Sequence, residues 1–461
     1  MSISRLFIAN RGEIAVRIIK SCHELNIETV LGVSDADRHT LAAKLADRVV
    51  CIGPPRSTES YLNMNAIIAS ALATKSDAIH PGYGFLSEDA NFARLCNEYG
   101  LTFVGPSVKN IQQMGNKLEA RSLARQFGLP LAEGSAKINK FQDASRISMD
   151  IGYPMLLKAA AGGGGRGIRI VRGQSELRTA FENASAEALA AFGDSSLYLE
   201  RYIENARHIE IQILADSFGN VIHLGERDCS LQRRYQKILE EAPASGLSPL
   251  LREEIQQAAV RLAKNIGYES AGTVEFILDT DQNKFYFLEM NTRVQVEHPV
   301  TEELTGKDIV AEQLRIASGE KLGYGQDDVT FSGCAIECRI NAESPLQGFL
   351  PSPGKITKWM APQGPKVRFD THCFEGYTVP PYYDSLLGKL IVHAADRSTA
   401  IEHMQRALNQ FEVEGIETNV PFHKFVLRQS EYQNGLVSTR YLEKAVEEFV
   451  ASEKNNTKLV P

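Results

Sequence analysis

The chain has 461 residues, of which 43% are hydrophobic, and a formal net charge of −7. This composition can bury a large core in roughly two to four domains, and the interspersed charges exclude the electrostatic footprint expected for binding nucleic acid. No apolar run is long enough to span a membrane, and MSISRLFIANRGE lacks a leader pattern, so we expect a cytoplasmic protein that binds small molecules. Seven scattered cysteines without a CxxC pair favour reduced thiols over disulfides or zinc.

Residues 1–114 are predicted to form a Rossmann-like α/β domain. SRLFIAN, RGEIAVRIIKSCHELN and ETVLGVSD indicate strand, helix and strand with short connections, and DAIHPGYG and LTFVGPS indicate further strands. The single glycine of NRGE does not match the GxGxxG fingerprint, so the sequence gives no evidence of dinucleotide binding. A helical linker is predicted over 115–130, with its helix ending at Gly128 and Pro130.

Residues 131–205 are predicted to form a small lid domain. YPMLLKAAAGGGGRGIRIV contains two strand-like runs around a glycine loop, which is no Walker motif because it lacks GK[ST] and leads into a strand. Glycines let backbone N–H groups approach phosphate oxygens, and Lys158 and Arg166 favour phosphate contact over a plain linker. Lys117 is a second candidate phosphate ligand, although a lone lysine is more often a solvated surface residue.

Residues 206–446 are predicted to form a larger, strand-rich α+β domain, followed by a polar tail over 447–461 whose last residues, SEKNNTKLVP, are expected to be frayed. In GCAIECRIN, Cys334 and Cys338 share the parity of the isoleucines, which indicates a buried apolar strand face. Glu337 and Arg339 belong to the opposite face.

Two carboxylates are predicted to face each other in a hairpin made by AGTVEFILD and KFYFLEMN. If Asp279 pairs with Phe285, Glu275 lies opposite Glu289, where like charges destabilise the sheet. A divalent cation would explain the pair, and the oxygen set Glu275, Glu289 and Asn291 suits Mg²⁺ better than Zn²⁺. A different register or a proton shared between the carboxylates would also explain it.

Nine segments together resemble the biotin carboxylase family of the ATP-grasp superfamily, in order and over nearly the whole chain. They are IANRGEIAVRI, AIHPGYGFLSE, GGGGRG, ERDCSLQRR, EEAPA, EMNTRVQVEHPVTE, ECRINAE, LPSPGKI and TVPPYYDSLLGKL. The resemblance implies an ATP-, Mg²⁺- and bicarbonate-dependent carboxylation of biotin, with Mn²⁺ as an alternative metal. It also implies a biotin carboxyl carrier protein, carboxyltransferase subunits and a homodimer.

The resemblance further implies a role for each matching residue. Glu275, Glu289 and Asn291 would hold the metal, Glu297 would be the general base, and Arg339 with Tyr83 would meet biotin. Bicarbonate would be bound by Lys237, Arg293, Gln295 and Val296. The residues implied to contact ATP are Lys117, Lys158, Gly164, Gly165, Glu200, Arg201, Tyr202, Ile203, His208 and Tyr235, together with the metal ligands Glu275 and Glu289. The resemblance also implies a reaction scheme. Glu297 deprotonates bicarbonate while bicarbonate attacks the γ-phosphate of ATP, and Lys237 and Arg293 stabilise the anion. The resulting carboxyphosphate breaks down to CO₂ and phosphate in a closed site, and Arg339 stabilises the enolate-like oxygen of biotin.

The chain departs from the family pattern at two places. Tyr235 stands where many members have histidine, which would shift ATP affinity without stopping turnover, and the glycine loop looks one residue short, with Ala161 where another glycine often stands. Asp384 follows two prolines and is interpreted as a turn residue, outside the site. Without the family resemblance, the sequence explains His208 equally well as a strand residue that has no role in the site.

The strand alternation in LEMNTRVQVEHP cannot continue to its end. Glu289 and Glu297 would then lie roughly 26 Å apart, too far for one bicarbonate, so the chain is predicted to bend after Asn291. Pro299 is expected to keep His298 extended.

Other readings of the sequence are a different ATP-grasp ligase and a catalytically silent nucleotide-binding subunit. The run after Arg293 and the segment ECRIN argue against the first, and no catalytic residue is missing, as the second would require. No methionine is followed by lysine, so we expect biotin on a separate protein. The expected parent complex is acetyl-CoA carboxylase, with pyruvate, propionyl-CoA or another acyl-CoA carboxylase as alternatives.

Overall fold

The N-terminal part of the chain is an α/β domain, as predicted. The computed structural model describes residues 2–160 and 168–458. Its first elements are β1 (Arg5–Ile8), α1 (Gly12–Glu24), β2 (Glu28–Ser34), α2 (Leu41–Leu45), β3 (Arg48–Gly53), α3 (Met64–Ala73), β4 (Ala78–His80), α4 (Ala90–Glu98), β5 (Thr102–Phe103), α5 (Val108–Gly115) and α6 (Lys117–Gln126). The strands form a parallel sheet in the order β3-β2-β1-β4-β5. This order, with helices between the strands, is the Rossmann-like arrangement.

Helix α6 begins at the edge of the N-terminal domain. The side chain of Asn116 accepts hydrogen bonds from the backbone N–H groups of Leu118 and Glu119, which satisfies the first turn. The helix ends at Gln126, and Gly128 has the left-handed φ of 74° that lets the chain turn away. Lys117 is therefore held at the first turn of a capped helix.

A small domain with an antiparallel sheet follows. It contains α7 (Phe141–Ile151), β6 (Met155–Ala159), β7 (Ile168–Val171), α8 (Gln174–Phe192) and β8 (Leu197–Arg201), with the sheet order β7-β6-β8. Both helices cover one face of the sheet, where Leu157, Leu177 and Ala184 are buried. The predicted glycine loop falls at 161–167, so Gly164, Gly165, Arg166 and the shortened position Ala161 lie outside the described residues.

The remainder of the chain is the larger α+β domain. Its elements are β9 (Ala206–Ala215), β10 (Val221–Arg233), β11 (Gln236–Ala242), α9 (Pro249–Asn265), β12 (Ser270–Asp279), β13 (Lys284–Asn291), α10 (His298–Thr305), α11 (Ile309–Ala317), β14 (Cys334–Asn341), β15 (Glu343–Ser344), β16 (Leu350–Pro351), β17 (Gly354–Lys355), β18 (Lys358–Met360), β19 (Val367–Thr371), β20 (Thr378–Val379), β21 (Leu386–Ala394), α12 (Arg397–Gln410), β22 (Glu412–Glu414), α13 (Val420–Val426), α14 (Ser430–Gln433) and α15 (Tyr441–Lys458). An antiparallel sheet in the order β13-β12-β9-β10-β11-β14-β21-β19 forms its centre.

The expectation of a frayed C-terminal end is wrong for residues 452–458, and the polar tail predicted from residue 447 is part of a helix. Helix α15 runs without a break from Tyr441 to Lys458. Leu442, Ala445 and Phe449 lie on its buried side and join the core of the large domain. Residues Leu442 to Phe449 carry the apolar side of this helix, whereas the sequence after Val450 is mostly polar and gives no helical pattern.

The hairpin of β12 and β13 differs from the prediction at its turn. Asp279 pairs with Lys284, not with Phe285, so the connecting loop is one residue shorter than expected. An irregularity between Glu275 and Phe276 shifts the register by one residue, which leaves Glu275 opposite Glu289 as predicted. The facing carboxylates thus result from a short turn and a bulge that compensate each other.

The chain bends after Asn291, where β13 ends, in agreement with the sequence analysis. His298 is not extended, however, because it is the first residue of helix α10 and Pro299 follows within the first turn. Proline is favoured in that turn since its missing N–H needs no intrahelical partner there. No helix within the described part of the chain is both long and apolar enough to cross a membrane.

Candidate active site

A cleft of about 1150 Å³ lies between the N-terminal domain, the small domain and the large sheet. It gathers predicted residues that are far apart in the sequence. Those that line it are Tyr83, Lys117, Lys158, His208, Tyr235, Lys237, Glu275, Glu289, Asn291, Arg293, Gln295, Val296 and Arg339. Glu297 lies directly behind this wall and is fully buried.

The carboxylates of Glu275 and Glu289 face each other across β12 and β13. Burial and the Glu275 charge raise the pKa of Glu289. Burial also opposes ionisation of Glu275, but Lys237 and His208 outweigh it and hold the pKa of Glu275 below its usual range. The pair therefore has one firmly anionic member and one that lacks sufficient positive charge nearby.

Lys237 is the cation at the centre of the cleft wall. Its Nζ donates hydrogen bonds to Glu210 at 2.5 Å, Glu297 at 2.7 Å and Glu275 at 2.9 Å. Burial disfavours the charged amine, yet the three carboxylates raise the pKa of Lys237 well above its usual value. Lys237 lies on β11, next to β10. Its ammonium group links Glu275, one of the two facing carboxylates, to Glu297.

Glu297 accepts a hydrogen bond from a cation at each of its two oxygens. Oε1 accepts from Lys237 at 2.7 Å, and Oε2 accepts from Nη2 of Arg339 at 2.8 Å. Burial and the Glu210 charge raise the pKa of Glu297, but Lys237 and Arg339 outweigh them and lower it overall. Glu297 is therefore an ionised, oriented carboxylate at neutral pH, and the Cys229 thiol lies 3.8 Å from its Oε1.

Arg293 is held open toward the cleft by three neighbours. Its Nε donates to Glu88 at 2.8 Å, while its two terminal nitrogens donate to Gln295 at 2.8 Å and Asn291 at 3.1 Å. Glu88 comes from the loop after β4, so the N-terminal domain helps to orient this arginine. Gln295 also donates to Glu275 at 3.2 Å, which links the arginine to the carboxylate pair.

The small domain contributes Lys158. Its ammonium group is not free for a phosphate in this structure, because it is paired with a carboxylate. Its Nζ donates to Glu200 at 2.8 Å, and the other oxygen of Glu200 accepts from Arg121 at 2.6 Å. Burial lowers the pKa of Lys158, but the Glu200 charge outweighs it and raises the pKa. The Glu200 side chain therefore forms an ion pair with Lys158. The other members of the run predicted to contact ATP, Arg201, Tyr202 and Ile203, follow at the end of β8 and just beyond it.

Tyr235 lies in the two-residue turn between β10 and β11, at the rim of the cleft. Arg234 and Tyr235 have φ values of 50° and 65°, as the tight turns favoured in hairpins require. The Tyr235 side chain is 51% exposed. The residue that departs from the family pattern therefore sits at the solvent edge, away from the buried charge cluster.

His208 lies within the cleft and contacts two carboxylates. Its Nε2 is 3.4 Å from Glu275 and 3.6 Å from Glu210. Burial lowers the pKa of His208, but these carboxylates outweigh burial and raise it to about 9. It is consequently a cation at neutral pH, held between two buried carboxylates.

The far end of the cleft is bounded by Tyr83. Its hydroxyl donates to Glu13, and Lys389 lies 3.2 Å from the other oxygen of Glu13. Lys389 in turn donates to the Val296 carbonyl at 2.9 Å, which fixes the bend that follows β13. Asp384 also lines the cleft at this end, although the sequence analysis placed it outside the site.

Several charged residues at the site, most of them buried, were missed in the sequence. Glu210 and Arg227 are fully buried and paired at 2.5 Å, Glu240 accepts from Nε of Arg339 at 2.6 Å, and Glu88 binds Arg293. A usable signal existed for Glu210, because it shares the strand parity of His208 in ARHIEIQILAD. Glu88 gives no such signal, since its loop meets Arg293 only in the fold.

A small antiparallel domain that brings a lysine over a large sheet bearing paired carboxylates defines the ATP-grasp class. Family models agree over most of the chain: "Biotin carboxylase, N-terminal domain" matches residues 2–111, "Carbamoyl-phosphate synthase L chain, ATP binding domain" matches 116–324, and "Biotin carboxylase C-terminal domain" matches 337–444. Biotin carboxylase 1 of Bacillus subtilis is 52% identical over 442 residues, which cover 96% of this chain and 98% of that relative. The chain belongs to the biotin carboxylase family, whose members are ATP-dependent ligases.

Two solved structures have the same fold as this chain. The biotin carboxylase domain dimer of the Hydrogenobacter thermophilus 2-oxoglutarate carboxylase, in complex with MgADP, ADP and bicarbonate, has a TM-score of 0.94 and 48% identity, covering 97% of this chain and 99% of that chain. A biotin carboxylase–β-γ-ATP complex from Campylobacter jejuni has a TM-score of 0.94 and 47% identity, covering 96% and 99%. These values confirm the predicted fold class of a Rossmann-like domain, a small domain and a larger α+β domain.

Proposed function

We propose that this protein carboxylates biotin on a separate biotin carboxyl carrier protein, using ATP and bicarbonate and proceeding through carboxyphosphate to carboxybiotin, ADP and phosphate. The observation that supports it best is the convergence of Lys237 and Arg339 on the two oxygens of Glu297. This arrangement combines an ionised base with two cations that can bind an anionic substrate. The bicarbonate and ADP in the Hydrogenobacter structure support the same substrate classes here.

Glu297 is assigned as the general base. Because its pKa is lowered by Lys237 and Arg339, it is unprotonated when bicarbonate arrives and can accept the bicarbonate proton. Arg293 and Lys237 are assigned to the developing anion, with Gln295 and the backbone of Val296 as further contacts. Attack on the γ-phosphate then gives carboxyphosphate, and burial of the base keeps bulk water from competing.

Glu275 and Glu289 fit a divalent cation, with Asn291 as a third oxygen ligand. The raised pKa of Glu289 beside Glu275 indicates that the pair is undercompensated by the protein alone. Hard oxygen ligands suit Mg²⁺, and Mn²⁺ is an acceptable alternative. A bound cation would supply neutralisation of phosphoryl charge, while Lys117, Lys158 and His208 are assigned to the nucleotide phosphates.

Arg339 and Tyr83 are assigned to the biotin ureido group at the far end of the cleft. Glu240 and Glu297 hold the Arg339 guanidinium in a defined orientation, so its charge can meet an enolate-like oxygen. Glu200, Arg201, Tyr202 and Ile203, with Tyr235 at the rim, are assigned to the nucleoside. The acyl acceptor need not enter this cleft, since carboxybiotin would transfer the carboxyl group elsewhere.

The proposed assembly is a cytoplasmic homodimer that works with a carrier protein and carboxyltransferase subunits. The Hydrogenobacter relative is a dimer, which supports the oligomeric part of the proposal. Acetyl-CoA carboxylase, which supplies fatty acid biosynthesis, is the parent complex we propose, with pyruvate, propionyl-CoA or another acyl-CoA carboxylase as alternatives. Affinity purification from the native cell, with identification of the co-purifying transferase, decides among them.

The activity is tested by ADP release from the purified protein with ATP and Mg²⁺. We expect release to require bicarbonate and to increase with free biotin, and carboxybiotin to form from labelled bicarbonate. ATP binding without either dependence would instead support the silent-subunit alternative and would refute the proposed reaction. Bicarbonate-dependent ADP release with carboxyl transfer to another acceptor would favour a different ATP-grasp ligase.

A further inference from the structure

Two buried carboxylates, Glu240 and Glu337, lie directly behind the predicted biotin end of the cleft. They are opposite each other in the antiparallel pairing of β11 and β14, on the face that also bears Arg339. Both residues are fully buried. Like charges directly opposite each other in a sheet are destabilising, so two ionised carboxylates at these positions need compensation.

The compensation seen among the described residues is insufficient for two negative charges. Glu240 accepts from Nε of Arg339 through Oε1 at 2.6 Å, while its Oε2 has no hydrogen-bond partner in the described part of the chain. Neither oxygen of Glu337 has a hydrogen-bond partner among those residues. Three acceptor atoms of two directly opposed residues are thus buried without a donor, a costly arrangement unless the carboxylates carry a proton.

The neighbouring cations are committed to other carboxylates or carbonyls. Arg339 also binds Glu297 at 2.8 Å, and Lys389, opposite Arg339 on β21, contacts Glu13 at 3.2 Å and the Val296 carbonyl at 2.9 Å. Helix α10 adds apolar contact at this strand through Val300 and Leu304, which pack with Ala335 and Ile391. Arg339, Lys237, Lys389, Glu297, Cys229 and Cys338 interact electrostatically with the pair, and His298 on α10 and His423 on α13 are titratable groups on helices that contact β14.

We propose that Glu240 and Glu337 share one proton in the resting protein and, as a pair with a single negative charge, position Arg339 while leaving its positive charge available to biotin. A second negative charge at Glu337 would hold the guanidinium more tightly and repel an enolate-like oxygen. Glu240 is the direct positioning residue, and Glu337 acts through it. The inference rests on the proposed function because Arg339 is assigned there to biotin.

Electrostatics agree with the geometry. Burial raises the pKa of Glu240, and the Glu297 charge adds to this effect against the opposing effect of Arg339, giving a value of about 7. Burial and the Glu240 charge raise the pKa of Glu337 well above its usual value, although Lys389 opposes them. The pair keeps its proton at neutral pH and loses it as the pH rises, since raised values favour the protonated form below them.

The proton is detected without substrate by infrared difference spectroscopy of the whole protein. At pH 7 the spectrum of the wild type minus that of Glu337→Gln should contain the carbonyl stretch of a protonated carboxylic acid, which should shift in D₂O. Glu98→Gln, an exposed carboxylate paired with Arg94 on α4, is the matched control and should show the exchange of a carboxylate for an amide without an acid band. Absence of the acid band from the Glu337→Gln difference would overturn the proposal.

A pH titration of the wild type alone keeps the test independent of the variant's folding. The acid band should weaken reversibly as the pH is raised above 7, and a spectrum without an acid band at pH 7 would refute the shared proton. No substrate is present in these measurements. Failure of bicarbonate-dependent ADP release would therefore contradict the proposed function and leave the result on the acid pair unaffected.

Kinetics test the link to Arg339. The ratio of kcat/KM for biotin in Glu337→Gln to that in the wild type should rise at least about threefold between pH 7 and the pH at which the acid band is lost, because glutamine cannot acquire the second charge. Glu240→Gln should lower kcat/KM for biotin about tenfold or more, with a smaller effect on bicarbonate-dependent ADP release without biotin. A Glu337→Gln ratio that stays constant with pH would exclude the proposed effect on Arg339.

Discussion

Replacement of Glu297 by glutamine is the most direct test of the chemistry proposed for the cleft. In the wild type both carboxylate oxygens accept from cations, Lys237 at 2.7 Å and Arg339 at 2.8 Å. Glutamine offers one acceptor oxygen, so its NH₂ group must face one of the two cations. The change removes the base and also disturbs the groups that would hold the substrate anion.

Two magnitudes follow from this geometry. Loss of a positioned general base lowers rates by about 100- to 10,000-fold, so kcat for carboxybiotin formation should fall within that range. The mismatched amide should reduce the free energy of unfolding by about 1–3 kcal/mol, the usual cost of a buried group left without its partner. ATP binding should change little, because the nucleotide is assigned to Lys117, Lys158 and the run at the end of β8.

The assay compares carboxybiotin formation from labelled bicarbonate with ATP binding measured by calorimetry. Glu98→Gln is the control, because it also replaces a glutamate paired with arginine, but at an exposed helix position. A Glu297→Gln protein that binds ATP and keeps more than about a tenth of wild-type activity would refute the assignment of the base. Loss of ATP binding together with activity would show that Glu297 belongs to the nucleotide site.

Four further predictions test other parts of the cleft and the fold. Lys237→Gln should lower the free energy of unfolding by about 3–5 kcal/mol in urea denaturation, because three buried carboxylates lose their shared cation; a change below about 1 kcal/mol would contradict this. Glu289→Gln should raise the Mg²⁺ concentration needed for half-maximal ADP release about tenfold or more, whereas an unchanged Mg²⁺ dependence would remove Glu289 from the metal site. Tyr235→His should change the KM for ATP by a few-fold at most and preserve kcat, because position 235 is at the exposed rim; a large loss of kcat would place it in the chemistry. Burial lowers the pKa of His80, His223, His372 and His423 to about 3 or 4, so below about pH 6.5 each of them is protonated in the unfolded chain and neutral in the folded one. His80→Asn should therefore lose about 2 kcal/mol less stability than the wild type between pH 7 and pH 5 in urea denaturation, and equal losses would refute this effect.

Strand alternation was sufficient to predict which side chains of the large sheet share a face. It placed Cys334 and Cys338 in the apolar core, and Glu337 and Arg339 on the side of the cleft. Alternation has a period of two regardless of tertiary context, so it survives without knowledge of the partner strand. The same pattern placed Glu275 on the face that became the cleft wall.

Register and chain direction were harder to predict because they depend on interactions outside the segment. The hairpin turn was predicted one residue too long, and only the irregularity next to Glu275 restored the facing carboxylates. His298 was expected to be extended on account of Pro299, yet proline is also favoured in the first turn of a helix, and the helix prevailed. Local preferences at such positions are nearly balanced, and packing against the sheet decides between them.

The charges missed in the sequence share a physical reason. Glu88 meets Arg293 across two domains, and Glu240 meets Arg339 across two strands that lie 99 residues apart in the chain. Before folding, such glutamates cannot be distinguished from solvated ones, which are far more common. Lys237 was found only through the family resemblance, although it is the most heavily engaged cation of the cleft.

The strands that form the cleft separate function from stability by their two faces. On β12, Glu275 faces the charge cluster, while its neighbours Val274 and Phe276 are buried in the core beneath. On β14, Arg339 faces the cleft, and Cys338 and Ile340 face a different apolar cluster. Desolvated charges on one face destabilise the fold, so each strand must bury apolar surface on its other face to remain in place.

Because the two faces have separate roles, substitutions on the buried apolar face should change stability but not catalysis. Phe276→Leu should lower the free energy of unfolding by about 1–2 kcal/mol through lost packing, with little change in kcat for ADP release at temperatures where the protein stays folded. Urea denaturation and the bicarbonate-dependent assay on the same preparation separate the two effects. A large fall in kcat with little loss of stability would mean that packing beneath Glu275 tunes the carboxylate pair directly, and that the two faces are not independent.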